Sequence, residues 1–96
     1  MTGQNSDYLH SNSGFLLVDT KPARERDVYL FLREKSKEVK GVNSVDVQPL
    51  FGEWDIIIKV EAKDHDALGE YENFVKQAHG VSQVRMLYLA SQGNFK

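Results

Sequence analysis

The chain reads as an α+β protein with elements in the order β-α-β-β-α-β, forming an antiparallel four-stranded sheet with two helices on one face. Three observations lead there. Two stretches of helical spacing alternate with four of strand character. The two halves echo each other: Lys40-Gly41-Val42-Asn43-Ser44-Val45 resembles His79-Gly80-Val81-Ser82-Gln83-Val84, each a helix stop followed by an edge strand. And Gly52-Glu53-Trp54-Asp55-Ile56-Ile57-Ile58-Lys59-Val60 reads as a tight turn feeding a strand that is apolar on both sides, with Ile56, Ile58 and Val60 facing one way and Ile57 the other.

Gly14 to Thr20 makes the first strand, apolar on both faces. Lys21-Pro22 opens the first helix, with Pro22 at the first helical position, where its missing N–H costs nothing. Glu25 and Asp27 sit early, favourably for the helix dipole. Val28, Phe31, Leu32, Lys35 and Val39 recur at helical spacing as a stripe with one Lys in it, and Gly41 stops the helix. Val42 to Gln48 is the second strand, Pro49-Leu50-Phe51-Gly52 the turn, and about Trp54 to Glu61 the third strand. Asp64 is the expected N-cap of the second helix, whose buried face is Ala67, Tyr71, Phe74, Val75 and Ala78. Gly80 ends it, and Val81 to Ala90 is the fourth strand.

Right-handed crossovers place the first and third strands at the centre and both helices on one face, the split βαβ or ferredoxin-like arrangement. The other face is then bare. Depending on parity it carries Leu16 and Val18 or Phe15 and Leu17, together with Ile57, Leu87 and Leu89 or their neighbours. An apolar face of that size is unusual on a soluble monomer. The same face of a second copy would hide it in a two-fold isologous contact, so a dimeric α+β barrel is expected.

Composition narrows the function. A chain of 96 residues is one domain with marginal burial, which a dimer interface would supplement. The net charge of -2, with Lys and Arg interleaved among Glu and Asp, gives no electrostatic case for nucleic acid. The absence of Cys removes disulfides, thiolate nucleophiles and zinc-finger sites, and fits a reducing, cytoplasmic setting. No apolar run approaches ~18 residues, so no membrane span is expected. Met1 to Ser13 is polar, lacks a signal core and reads as a disordered leader; residues 91–96 read as a tail.

From Gly14 to Ala90 the residues resemble the effector-binding RAM domain of Lrp/AsnC-type transcription regulators. The resemblance rests on segments taken in order: Leu17-Val18-Asp19-Thr20-Lys21-Pro22, Lys40-Gly41-Val42, Gly52 to Val60, and His79-Gly80-Val81. In that family the domain follows a DNA-binding helix-turn-helix unit. Here a short polar leader precedes it, so the resemblance implies a stand-alone module with no direct nucleic-acid contact. It also implies a homodimer formed through the sheets, assembly into a tetramer of dimers, and a small effector, usually an amino acid, between neighbouring dimers. Co-assembly with full-length Lrp/AsnC regulators is a further implied partnership. No cofactor and no enzymatic activity are expected.

The family's G-x-[aromatic]-D turn maps onto Gly52, Trp54 and Asp55, with Glu53 between them. Gly lets the backbone approach a ligand, exposed N–H groups can hold a carboxylate, and Asp55 can accept hydrogen bonds from an ammonium group. Trp54 can cover the ligand's apolar part. The structural alternatives are a Gly serving the hairpin, a Trp in the core or interface, and an Asp bonded within the turn. Where the family often has Thr-x-Thr in the fourth strand, this chain has Val84, Arg85 and Met86. Arg85 either supplies a fork for a carboxylate or is a solvated edge-strand charge.

Other constellations are weaker. Asp64-His65-Asp66 fits capping and dipole needs at a helix start better than a metal, and His10, His65 and His79 lack ligand spacing. No Ser or Lys has a nucleophile's partner motif, and Glu53 with Asp55 makes a poor acid–base pair. Two other classes stay open: a monooxygenase- or isomerase-like enzyme on a dimeric α+β barrel, and a purely structural adaptor.

Overall fold

A computed structural model describes residues 12–88. Residues 1–11 of the expected leader, Leu89 and Ala90 of the expected fourth strand, and the tail lie outside the described residues. The elements are β1 (Asn12–Thr20), α1 (Glu25–Lys35), a short 3-10 turn (Ser36–Glu38), β2 (Val42–Pro49), β3 (Ile56–Ala62), α2 (His65–Lys76) and β4 (Val81–Tyr88). The four strands form one antiparallel sheet in the order β2-β3-β1-β4, with β1 and β3 central as expected.

Alternation sorts the sheet into two faces. Leu16 and Val18 of β1 and Ile56, Ile58, Val60 and Ala62 of β3 are buried toward the helices, joined by Val47 of β2. Val28 and Leu32 of α1 and Ala67, Leu68, Tyr71 and Val75 of α2 close that core. Each large aliphatic side chain removed from water here is worth ~1.5–3 kcal/mol, so this layer carries most of the favourable burial.

The helix ends follow local chemistry. At α2, Asp64 takes an extended conformation and its Oδ1 accepts from the Ala67 N–H at 2.8 Å, the expected N-cap. The start of α1 differs from expectation. Pro22 is not the first helical residue: the Arg24 N–H returns to the Lys21 carbonyl at 3.0 Å, closing a turn with Pro22 and Ala23 in the middle. Ala23 has φ 67°, so this is a turn with Pro at its second position and a left-handed third residue. Pro stiffens a turn as readily as it opens a helix, and the sequence does not say which.

Two strand starts and the buried stripe of α1 also differ from expectation. β1 begins at Asn12, so Asn12 and Ser13 belong to the sheet and not to the leader. β3 begins at Ile56, leaving Trp54 and Asp55 in the loop before it. The stripe on α1 turns out to run Val28, Leu32, Ser36, while Lys35 is exposed, Phe31 is 40% exposed and Val39 lies beyond the helix. Ser36 can be buried because its hydroxyl meets the Tyr71 hydroxyl of α2 at 2.6 Å.

The face away from the helices carries Phe15 and Leu17 of β1, Ile57 and Lys59 of β3, and Arg85 and Leu87 of β4. Leu17 stands between Ile57 and Arg85, and Phe15 between Lys59 and Leu87. Both helices lie on the opposite side, so this apolar centre has no cover within the described residues; Leu87 is 44% exposed. Asp46 of β2 sits beside Lys59, and Glu61 beside Ser13, giving the patch a charged rim. Among the described residues no helix is long and apolar enough to cross a membrane.

Candidate functional site

The loop Leu50 to Asp55 joins β2 to β3 at one end of the sheet. The Leu50 N–H donates to the Asp55 carbonyl at 2.8 Å, which closes the hairpin. The Asp55 N–H donates to the Val18 carbonyl at 3.0 Å, which ties the loop to β1. Beyond that point the ladder would need another β3 residue opposite Thr20. The Asp55 side chain takes its place: Oδ2 accepts from the Thr20 N–H at 2.9 Å and from the Thr20 hydroxyl at 2.8 Å.

These bonds favour the ionised form, so the Thr20 backbone N–H, then its hydroxyl, hold the Asp55 carboxyl below the ordinary carboxylate range. Asp19, its neighbour on β1, is pushed the other way. A side-chain hydrogen bond to Asp55 raises it first, desolvation and the like charge adding to the effect. The arrangement is a pair of carboxyls sharing one site, in which Asp55 keeps its charge and Asp19 holds its proton longer.

The other candidates are distributed around this pair. Gly52 has φ 129°, a conformation that L side chains rarely adopt, yet an added Cβ there would meet nothing within 4 Å. Glycine is therefore required by the bend of the chain and not by crowding. Glu53 is exposed, and Trp54 is half-buried. Phe51, at the loop's outer edge, is fully exposed. Arg85 is exposed on the open face of β4, opposite Leu17. It is separated from β3 by the whole of β1, about 10 Å across two strand spacings. Arg85 is thus not brought against the loop within one chain. Val84 and Met86, at the positions where hydroxyl residues were sought, turn inward and pack on the core.

Two residues of this cluster, Asp19 and Thr20, escaped the sequence reading. The signal was present in the pairing: once Leu17 is set against Ile57 and Val18 against Ile56, Asp19 falls beside Asp55. The chemistry available is that of a fixed carboxylate with a second, proton-holding carboxyl at its side, on a bent loop at the edge of an open apolar face. Such a site suits a cationic or ammonium group.

No family model and no curated protein matches the chain in sequence. Solved structures do. A dabb family protein with a ferredoxin-like fold from Mesorhizobium loti superposes with a TM-score of 0.67 at 13% identity, over 86% of this chain and 98% of that one. The fold is ferredoxin-like. The transcriptional regulator NMB0573 from Neisseria meningitidis, in complex with L-Met, gives a TM-score of 0.64 at 17% identity, over 96% of this chain. The match spans 56% of that regulator's length. A putative antibiotic biosynthesis monooxygenase from Nitrosomonas europaea gives 0.64 at 9% identity, over 86% of this chain and 91% of that one. At these identities the likeness is one of fold, and it embraces both a regulator and a monooxygenase-class protein.

Proposed function

We propose that this chain is a self-assembling module that binds a small amino-acid-like molecule, in the manner of the effector domains of Lrp/AsnC regulators. The observation that carries the reading is the Asp55 carboxylate, held in place by Thr20 at the root of the Gly52–Glu53–Trp54 loop. It offers a fixed negative charge to a ligand's ammonium group, Gly52 gives backbone access, and the half-buried Trp54 supplies an apolar wall. The likeness to a regulator crystallised with L-Met supports the same ligand class.

In this reading the open face carrying Phe15, Leu17, Ile57 and Leu87 is sealed by a second copy. Further association of dimers sets the loop of one against its neighbour, and Arg85 enters the site from another protomer. Ligand binding then shifts assembly to the extent that the assembled state binds it more tightly. Co-assembly with full-length regulators is the output that such a module offers.

The test uses Asp55→Asn, which keeps an oxygen acceptor for Thr20 and removes the charge. Calorimetric titration with the common L-amino acids should give heat for at least one in the wild type and a loss of about tenfold or more in the variant, the range of a charge-assisted hydrogen bond. Equal affinity in both proteins would reject the role of Asp55, and no heat with any amino acid would reject the ligand class.

A further inference from the structure

At the end of the sheet opposite the Asp55 loop lies an open groove of about 300 Å³, lined by Val39, Ala67 and the exposed side chains of Lys40, Lys63, Asp66 and Glu70. Its frame is well fixed. The Lys63 N–H donates to the Gly41 carbonyl at 2.8 Å, joining the segment that enters β2 to the one that leaves β3. Gly41 has φ 86°, and a Cβ there would stand 2.7 Å from the Ala67 Cβ and 3.3 Å from Lys63 Cε. Only glycine lets α2 and the Lys63 stem come this close to the chain entering β2.

Two ammonium groups and two carboxylates share this one rim. Ion pairs elsewhere on the surface are local: Arg24 with Asp27, Lys35 with Glu38, and Lys76 with Glu72. Among the described residues, Lys40, Lys63, Asp66 and Glu70 make no ion pair with one another or with any other group. At the adjoining start of α2 the Ala67 N–H is already occupied by Asp64. A groove at the small end of the range for ligand pockets, with an apolar floor and unpaired charges of both signs, matches a molecule that is itself doubly charged.

We propose that this groove is a second binding site, one for a small zwitterion: Lys40 and Lys63 hold its carboxylate, Asp66 and Glu70 hold its ammonium group, and Val39 and Ala67 meet its apolar part. The assignment stands on these six residues and does not depend on the loop at Asp55. All six lining residues belong to one chain.

The experiment follows backbone amide NMR shifts of the full chain during titration with L-leucine, isocaproate and isoamylamine, which share a carbon skeleton and differ in charge. L-leucine should move the amides of Val39 to Gly41 and Lys63 to Glu70, and should bind about tenfold more tightly than either singly charged analogue, the effect of one charged contact. Lys63→Met, which keeps the stem, and Asp66→Asn should each weaken binding to the same extent. Equal affinity for all three probes, or unchanged affinity in both variants, would overturn the proposal. Shifts confined to Gly52 through Asp55 would overturn this pocket while supporting the loop site, and shifts confined to the pocket would do the reverse.

Discussion

Asp55 ends the pairing of β3 with β1 by turning its own side chain onto Thr20, accepting the backbone N–H and the hydroxyl of that residue on a single oxygen. A residue expected from its motif to be a ligand group is therefore also the structural stop of the central ladder. The two roles are compatible, because a carboxylate that is fixed and kept ionised by the fold costs a ligand no ordering.

Thr20→Val keeps the shape and the N–H but removes the hydroxyl donor. The loss of one hydrogen bond to a charged group should lower stability by ~1.5–3 kcal/mol in urea unfolding, at unchanged denaturant slope. An unchanged midpoint would mean that the hydroxyl bond is not formed in solution.

Asp19 and Asp55 should leave opposing marks on the pH dependence of stability. Asp55, depressed by the Thr20 N–H, stabilises the fold above the unfolded value of about 3.8 and loses that contribution as pH falls through its folded value. Asp19, raised by its bond to Asp55, gives stability below about 3.8 that is lost as pH rises through its own folded value. Asp19→Asn removes the second effect and leaves the Thr20 bonds, the leading causes of the Asp55 depression, in place. Relative to wild type, the variant should gain stability as pH is raised from the acid range to neutrality. A constant difference across that range would show that the two carboxyls do not interact.

Tyr71 and Ser36 form the polar contact inside the helix layer. Tyr71→Phe leaves a buried Ser36 hydroxyl without its partner and should cost ~1–3 kcal/mol, most of it recovered when Ser36→Ala is added. Burial also pushes the Tyr71 phenol up to about 12 from 10.0. Its contribution is present below 10.0 and is lost as pH rises through about 12. Additive losses in the double variant would contradict this pairing, and a phenol that titrates normally in absorbance would contradict its burial.

Gly41 and Gly52 both have positive φ but should respond differently to Ala. At Gly52 the added methyl points into open space, so the cost is the backbone strain alone, ~1–2 kcal/mol. At Gly41, with φ 86°, backbone strain is joined by a 2.7 Å approach to the Ala67 Cβ, so Gly41→Ala should be the more damaging in thermal unfolding. Equal losses would mean that the start of α2 yields without cost.

What could be read beforehand was what depends on near neighbours in sequence. Asp64 stands three residues before the N–H it caps, and Ile56, Ile57 and Ile58 declare two apolar sides by alternation alone. The strand order followed from crossover handedness. Pro22 suits both a helix start and the second position of a turn, and Ala23 carries no mark of its left-handed conformation, so the turn is not legible locally. The burial of Ser36 depends on a hydroxyl of the other helix, which no local pattern announces. The Asp19–Asp55 pair was invisible for the same reason: it exists only once register is fixed between two strands distant in sequence.

Sedimentation velocity at micromolar concentration, on wild type and on Ile57→Lys, bears most directly on the central claim. The open face predicts a dimer or a larger assembly for the wild type and a folded, smaller species for Ile57→Lys, whose new charge lands beside Leu17 at the centre of the patch. A wild-type chain that sediments as a monomer, or an assembly that Ile57→Lys leaves intact, would contradict it.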